Sequence, residues 1–403
     1  MKKIYTNYIN NFKGLSKEVW LLALITLINR AGTMVIPFLS KYLKENLEFS
    51  IPDAGTILMF FGIGSLIGSW LGGKLTDQIG FYKVMFYSLL FTGFGFIILQ
   101  YITSFLGLCI GILVLMSIAD TFRPALFVSL KTYSKPENQT RSLTLLRLAI
   151  NLGMAFGPII AGLIIGLDGY SLLFWIDGIT CILAILLFKF LIKETVKKVS
   201  IEEKLINQQN KNAALKDKSF LIFFTISFLI ALSFFQLITS MPIYHFDKYG
   251  LTELQTGLIM FINGALIVIF EMPLIAYLEA KKVPNTRLIL FSSILFALSY
   301  FVLLFDVWAG ILIINIILLT FAEMIGFPYT NAFALSRAKK GSEGSYMALY
   351  TMSFALAFIV GPKIGMDIIE NYGYTINWII TGSYSLIAVI LSIWLQKRIK
   401  NNL

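Results

Sequence analysis

Ionisable side chains lie inside long apolar stretches of this chain. In the first half they are Arg30, Asp120, Arg123, Arg147 and Asp177, and in the second half they are Glu271, Glu323, Lys363 and Asp367. A charge in apolar surroundings loses its hydration, so such residues are kept for a functional polar site or are neutralised by a buried partner. These positions are therefore the first candidates for chemistry.

These candidates can be ranked by how close each residue lies to the middle of its apolar stretch. The four nearest the middle are Arg30, Asp120, Arg123 and Glu323. Asp120 and Arg123 are three residues apart and would share one face of a continuous helix, which suits a static salt bridge and a functional pair equally well. Glu323 has no lysine or arginine within four positions, so desolvation favours its protonated form and makes it the principal proton-binding candidate. Its alternative role is a hydrogen bond to a neighbouring helix, and its competitors for the proton are Asp120 and Glu271.

The elements that position these groups are twelve apolar stretches, each long enough for a helix that crosses a bilayer, which needs about 20 residues. The first six lie near 19–43, 54–76, 84–102, 105–130, 142–167 and 170–192, and the second six lie near 219–244, 254–278, 286–305, 307–335, 345–370 and 374–396. They are continuous runs without two-residue alternation, which excludes the strands of a membrane β-barrel. The predicted fold class is an all-α integral membrane protein with twelve transmembrane helices in two six-helix bundles.

The composition agrees with a membrane protein and argues against several function classes. Hydrophobic residues form 57% of the chain and charged residues 14%, whereas about 25% of an average soluble domain is charged. The single histidine and the two cysteines, Cys109 and Cys181, offer no metal-ligand set, so no metal and no cofactor are expected. The lack of a convergent nucleophile and base argues against a membrane enzyme. No phosphate-binding loop of the G-x-x-x-x-G-K-[ST] type is present.

The distribution of basic residues predicts the orientation in the membrane. The N-terminus, the connections after even-numbered stretches, the adjoining stretch ends at Lys74 and Arg287, and the C-terminal tail hold 25 of the 33 lysines and arginines. The end of the first stretch and the connections after odd-numbered stretches hold only Lys41, Lys44 and Lys248. Both termini are therefore expected on the cytoplasmic side of the cytoplasmic membrane. This distribution explains the net charge of +11 without a nucleic-acid partner. The N-terminal segment has no signal-cleavage pattern, so the first stretch is expected to stay as an anchor.

The sequence repeats with a period near 200 residues. An offset of 204 carries Pro124 onto Pro328, and Gly157-Pro158 onto Gly361-Pro362. A polar, lysine-rich segment separates the two repeats. The predicted domains are an N-terminal six-helix half over 1–192, a cytoplasmic linker over 193–218 and a C-terminal six-helix half over 219–403. Parallel six-helix repeats are the ground plan of one large transporter fold.

The segment after the second stretch carries a recognisable signature, GGKLTDQIGFYK over residues 72–83. It resembles G-x-L-a-D-r-x-G-r-[RK], the loop signature of the major facilitator superfamily, with matches at Gly73, Leu75, Asp77, Gly80 and Lys83. Gln78 stands where the superfamily usually has arginine. The resemblance implies that Gly73, Asp77, Gly80 and Lys83 belong to a cytoplasmic loop that controls conformational switching. A plain turn between two helices is the alternative.

The fifth stretch contains a second signature, GMAFGPIIAG over residues 153–162. Through Gly153, Gly157, Pro158 and Gly162 it resembles G-x-x-x-G-P-x-x-[GA]-G, which is associated with antiporters of the same superfamily. Glycines at four-residue spacing give a smooth face to a neighbouring helix, and proline removes a backbone hydrogen bond. Ordinary tight packing is the alternative. The fourth stretch lacks the arginine that drug exporters carry near the position of Ile112, so the proton relay of that arginine is not carried over.

The resemblance covers essentially the whole chain and implies a secondary transporter that works by alternating access. The drug:proton antiporter type is most similar, which implies proton-coupled efflux of a drug or a metabolite. The proton-coupled peptide transporters are the second comparison, because their tenth helix also carries a glutamate before a proline, as Glu323 precedes Pro328. That comparison implies import of a zwitterionic solute such as a peptide or an amino acid. A non-transporting membrane sensor or scaffold is the alternative outside this class.

The resemblance also implies which residues contact a substrate. The cavity candidates are Arg30, Asn29, Arg123, Arg147 and Gln236. Because the first and fourth helices line the central cavity in the superfamily, Arg30 and Asp120 are expected to face each other. The expected partners are a small-molecule substrate, protons and membrane lipid, without nucleic acid, and the protein is expected to work as a monomer.

Overall fold

The computed structural model describes residues 14–32, 34–135, 138–194, 213–338 and 343–401, which are helical apart from short turns. The helices up to residue 191 are α1 (Lys17–Ala31), α2 (Val35–Glu45), α3 (Ile51–Ile79), α4 (Phe81–Leu99), α5 (Phe105–Ala119), α6 (Phe122–Tyr133), α7 (Gln139–Asp168) and α8 (Ser171–Leu191). The later helices are α9 (Ala213–Lys216), α10 (Lys218–Thr239), α11 (Met241–Tyr249), α12 (Glu253–Ala280), α13 (Asn285–Phe301), α14 (Ile311–Arg337) and α15 (Glu343–Asn401). Long apolar runs adopt helices in a membrane because every backbone polar group must then be satisfied within its own segment.

Eleven helical stretches of the described residues are apolar and long enough to cross a membrane. They correspond to all twelve predicted spans, with ends that differ by a few residues, because the last stretch runs from Ser345 to Lys400 and covers spans eleven and twelve. A straight helix of that length would measure about 84 Å, against about 30 Å for a bilayer core. Gly373 interrupts it with φ of 79° and ψ of 174°, a backbone conformation open mainly to glycine. This turn separates span eleven from span twelve.

The chain divides into two compact units. Unit one consists of Met1–Ile36, Ile63–Lys197 and Glu253–Gly264, and unit two consists of Pro37–Gly62, Lys198–Thr252 and Ala265–Leu403. Unit one thus includes Glu253–Gly264 from the predicted C-terminal half, and unit two includes Pro37–Gly62 from the predicted N-terminal half. The predicted halves describe the duplication of the sequence, and their boundaries stay a prediction. Most of the predicted linker, residues 195–212, lies outside the described residues.

Two spans that contribute to unit one are interrupted. Span one consists of α1, which ends at Ala31, and α2, which begins at Val35. Span four consists of α5, which ends at Ala119, and α6, which begins at Phe122. Pro124 lies in the first turn of α6, where a missing N–H leaves no helical bond unmade. Span ten, the repeat counterpart of span four, is the unbroken helix α14.

A polar cluster ties the start of span seven to spans ten and eleven in unit two. The Asp217 carboxylate caps α10 by accepting hydrogen bonds from the backbone N–H groups of Ser219 and Phe220, at 3.0 and 3.2 Å. It also accepts two from the Arg337 guanidinium, at 2.6 and 3.1 Å, and one from the Tyr346 hydroxyl at 3.1 Å. One carboxylate thereby joins three helices.

Candidate functional site

Asp120 lies at the interruption of span four and is held by span two. Its side chain accepts a hydrogen bond from the Ser65 hydroxyl on α3. The interruption places Arg123 on α6, where its side chain is exposed. Among the described residues these two form no ion pair. Asp120 lies in the interruption after Ala119, and Arg123 lies on α6, which begins at Phe122, so the predicted functional role of this pair stays a prediction.

Arg30 is half-buried near the end of α1 and interacts electrostatically with both Arg123 and Asp120. A Cβ added at Gly153 would lie 2.6 Å from the Cβ of Arg30 and 2.8 Å from the backbone nitrogen of Ala31. The absence of a side chain at Gly153 therefore lets α7 approach α1 at the arginine. The described residues show no direct ion pair between Arg30 and Asp120, so their predicted functional pairing stays a prediction.

Asp177 on α8 is not one of the four charges nearest the middle of a span, but its surroundings are specific. The side chain is fully buried. Its Oδ1 accepts a hydrogen bond from the Met34 N–H at 2.8 Å, and its Oδ2 accepts from the N–H groups of Met34 and Val35 at 3.0 and 2.9 Å. The carboxylate thus caps the start of α2, where span one resumes. One turn further along α8, Cys181 accepts a hydrogen bond from the Asn29 amide at 3.3 Å.

The remaining cationic candidate of unit one, Arg147, is half-buried on α7. In unit two, Glu323 is half-buried near the middle of α14, whereas Glu271 is buried on α12. Lys363 and Asp367 form an ion pair of 2.6 Å, one helical turn apart. These two charges therefore neutralise each other locally.

Gln236 lines a small polar cavity within unit two. Its Oε1 accepts a hydrogen bond from the Ser240 hydroxyl at 2.6 Å, and its Nε2 donates to the Gly361 carbonyl at 3.5 Å. The cavity measures about 10 Å³, which is room for about one water molecule. Asn377 and Thr381 also line it, and the Asn377 amide nitrogen has no protein hydrogen-bond partner among the described residues.

The signature over residues 72–83 is helical for most of its length. Because nothing breaks the helix before Gly80, α3 includes Gly73 and Asp77, and Gly80 alone forms the turn, with φ of 87°. The prediction of a longer loop is therefore wrong. A Cβ at Gly72 would lie 2.6 Å from the backbone of Thr121, but a Cβ at Gly73 would meet nothing. The exposed side chains of Asp77 and Lys83 flank the turn.

The signature of span five packs on both sides of α7 within unit one. Gly153 faces α1, as described, and a Cβ at Gly162 would lie 2.6 Å from the Glu253 carbonyl oxygen at the start of α12. A Cβ at Gly257 would collide with the carbonyl group of Pro158, and Gly157 and Pro158 are both buried. The small residues therefore allow two helices to approach α7 at backbone distance.

Comparison with known families agrees with these features. The sequence profile of the Major Facilitator Superfamily matches residues 20–362, and a second match covers residues 280–402. The chain belongs to the major facilitator superfamily. It is therefore a multi-pass membrane transporter of a small molecule and not an enzyme, and the predicted superfamily and fold class are confirmed.

Bacterial relatives of this major facilitator transporter match nearly the whole chain. An Na(+), Li(+), K(+)/H(+) antiporter of Planococcus maritimus is 22% identical over 399 residues, which cover 91% of this chain and 93% of the relative. The uncharacterised MFS-type transporter YttB of Bacillus subtilis (strain 168) is 22% identical over 384 residues, with coverages of 93% and 94%. Both relatives belong to the family that the sequence motifs indicate.

Solved structures of transporters have the same fold. A POT family transporter in complex with 5-aminolevulinic acid matches with a TM-score of 0.80 and 16% identity, covering 96% of each chain. The nucleoside transporter NupG matches with a TM-score of 0.77 and 16% identity, covering 95% of this chain and 100% of its own. Likeness at this identity establishes the fold of the major facilitator transporter and not its substrate.

Proposed function

We propose that this transporter is a proton-coupled antiporter that exports a small molecule across the cytoplasmic membrane. The observation that carries the proposal is the glycine-proline stripe of span five. Its signature resembles that of antiporters, and its small residues meet α1 and the start of α12 at backbone distance. Helices in such close contact can slide or bend as rigid elements, which an alternating-access cycle requires.

Alkali cations are the first substrates to test. The relative from Planococcus maritimus is named an Na(+), Li(+), K(+)/H(+) antiporter and covers 91% of this chain. Lipophilic cationic drugs and polar metabolites form the second group, because the sequence is most similar to the drug:proton type. The residues proposed to contact the substrate are Arg30, Asn29, Arg123, Arg147 and Gln236.

Glu323 is proposed as the principal proton-coupling group. It lies twelve residues into α14, which corresponds to about 18 Å along the helix axis. At that depth an ionised carboxylate is strongly disfavoured unless it is solvated or paired, so a change of exposure during transport can load and release a proton. Asp120, which is bonded to Ser65, and the buried Glu271 are the alternative coupling groups.

Transport in proteoliposomes with an imposed pH gradient tests this function. Cation-dependent collapse of the gradient is measured with a pH-sensitive dye for Na⁺, Li⁺, K⁺ and tetraphenylphosphonium in turn. Thiol labelling of Lys44→Cys and Lys281→Cys, each made separately, reports orientation in the vesicles. The basic-residue distribution places Lys44 outside the cell and Lys281 inside, together with both termini. We expect at least one probe to collapse the gradient.

Glu323→Gln should then abolish gradient-driven transport while largely preserving substrate exchange in the absence of a gradient. Glu279→Gln is the matched control, because Glu279 is an exposed glutamate near the end of α12; it should transport like the wild type. If Glu323→Gln still carries out gradient-driven transport at the wild-type rate, Glu323 is not the proton-coupling group. Asp120 and Glu271 are then the residues to test. If the transport rate of the wild type does not depend on the pH gradient, the protein is not a proton antiporter.

A further inference from the structure

The interruption of span one is organised around a single buried carboxylate. Asp177 accepts hydrogen bonds from the Met34 and Val35 N–H groups at the start of α2. The boundary between unit one and unit two falls just beyond, between Ile36 and Pro37. The capped residues are therefore the last part of unit one before the chain passes into the segment that belongs to unit two.

No arginine or lysine within the described residues forms an ion pair with Asp177. Along the adjoining elements, the ionisable groups nearest to this site in the sequence are Cys181 on α8, Arg30 on α1 and Lys41 on α2. Further along α2 lie Tyr42, Lys44 and Glu45. On α4 the residues from 84 to 99 include Tyr87 and no charged group, and α7 has no charged group from 148 to 167. Lys41 lies over the ring of Phe246, at 4.0 Å from its centroid. The backbone N–H groups of α2 are thus the main compensation for the buried charge.

The second repeat lacks this carboxylate. The offset of 204 places Thr381 at the position of Asp177, Gln236 at that of Gly32 and Tyr384 at that of Thr180. In the second repeat α10 runs to Thr239 and α11 follows after Ser240 alone, whose φ of −90° and ψ of −31° are helical. Both repeats are therefore interrupted at this point, but only the first has an acid that caps the helix where it resumes.

We propose that Asp177 is a second proton-binding site, whose protonation is linked to bending of span one. While the start of α2 donates its N–H groups, these hydrogen bonds favour the ionised form of the carboxylate. When these donors leave, an uncompensated charge in an apolar site is too costly, so the carboxylate takes up one proton from solvent and forms an O–H bond. It returns that proton when α2 docks again. This role rests on the proposed proton coupling but adds a different residue and a different motion.

Hydrogen exchange of the purified transporter tests the link without any substrate. Amide protection of the peptide that contains Met34 and Val35 is measured as the pH is lowered and is corrected for intrinsic exchange rates. We expect protection to fall by about tenfold or more in the wild type, as for the loss of a hydrogen bond to a charged group. The peptide that contains Gly107, whose N–H is capped by the neutral Ser104 hydroxyl, should keep its protection.

Asp177→Asn retains one acceptor oxygen but cannot bind this proton, so protection at Met34 should become independent of pH, and Asp177→Glu should restore the dependence. If Asp177→Asn does not fold, Asp177→Thr takes its place, because threonine occupies the equivalent position of the second repeat. Protection that does not respond to pH in the wild type, or that responds equally in the variants, would overturn the proposal. Glu323→Gln should keep the response, which separates this site from the principal coupling group.

Discussion

The middle of span one and the corresponding part of span seven come from the same duplicated sequence but use different chemistry. In unit one the region is charged and tightly packed: Asp177 caps a broken helix, and Gly32 lies against Thr180. In unit two the equivalent positions carry Thr381, Gln236 and Tyr384, all neutral, around a small cavity. One repeat thus concentrates a buried charge where the other keeps a polar void.

The starts of the same spans show the opposite pattern. Span seven begins at Asp217, which is paired with Arg337. Span one begins at Ser16, whose hydroxyl accepts from the Val19 N–H and donates to the Tyr133 carbonyl. Unit two therefore has an ion pair at the partly exposed start of span seven, where solvent lowers the cost of the charges, whereas unit one has an acid that is fully buried in span six.

The largest effect is expected from filling the contact beside the break. A Cβ on Gly32 would collide with the Thr180 hydroxyl and lie 2.7 Å from its Cβ, so Gly32→Ala should cost about 1–3 kcal/mol of stability. Thermal unfolding of the wild type and the variant in detergent measures this loss of stability. Thr180→Gly removes both the hydroxyl and the Cβ, so Gly32→Ala should cost much less in a Thr180→Gly background than in the wild type.

Gly166→Ala is the control for this prediction, since a Cβ there would meet nothing, and it should leave stability unchanged or raise it slightly. If Gly32→Ala melts like the wild type, the region has enough space for a side chain, as the second repeat has at Gln236. The contrast between a tight first repeat and an open second repeat would then fail.

A smaller effect, with a specific pH dependence, is expected at the start of span seven. Partial burial disfavours the ionised form of Asp217, but the hydrogen bonds and charge of Arg337, with the Phe220 N–H, outweigh it and hold its pKa below the usual value. Asp217→Asn should therefore cost about 2 kcal/mol at neutral pH. A depressed pKa gives stability that is present above the unfolded pKa of about 3.9 and is lost as the pH falls through the lower folded value.

The melting temperatures of the wild type and Asp217→Asn should accordingly converge below about pH 4. Asp306→Asn is the control, because Asp306 pairs with Lys248 at an exposed site, where an ion pair contributes little to stability. A gap between Asp217→Asn and the wild type that persists unchanged into acid would show that the capping geometry, and not the charge, stabilises span seven.

The spans and the repeat were predictable from the sequence because each depends on patterns that many residues share. Gly373 forms the turn between spans eleven and twelve, at the boundary predicted from the loss of apolar character. The helix breaks were not predictable, since Gly32 in an apolar run reads as a packing residue. For the same reason the sequence predicts one helix through Asp120 and Arg123, whereas α5 ends at Ala119 and α6 begins at Phe122.

Asp177 was recognised in the sequence as a charge within a span, but its function depends on a partner 143 residues away. Backbone N–H groups leave no trace in side-chain patterns, so no motif indicates that a carboxylate caps a distant helix. The repeat offered one usable signal: the offset of 204 aligns Asp177 with Thr381, so the acid belongs to only one half. A charged residue whose counterpart in the other repeat is neutral is therefore a candidate site residue.

The smallest effect on stability is expected at a position where both repeats have an equivalent hydrogen bond. Cys181 accepts a hydrogen bond from the Asn29 amide at 3.3 Å, and the equivalent pair, Ser385 and Ser233, is joined by a hydrogen bond of 2.9 Å. Cys181→Ser should therefore change stability by less than about 0.5 kcal/mol, because a serine hydroxyl can accept from Asn29 and donate to the carbonyl of Asp177 one turn earlier, as Thr180 already does.

Cys181→Val is the informative partner of Cys181→Ser, because it keeps a buried side chain of similar size but removes the acceptor of the Asn29 amide. It should destabilise the protein by about 1–2 kcal/mol, and Ser385→Val should do the same in the second repeat. If Cys181→Ser is as damaging as Cys181→Val, the thiol is required for its packing and the agreement between the repeats is superficial. If both pairs respond alike, the duplication preserves this polar link between the first and last spans of each repeat. The difference between the units then lies one turn away, at Asp177 and Thr381.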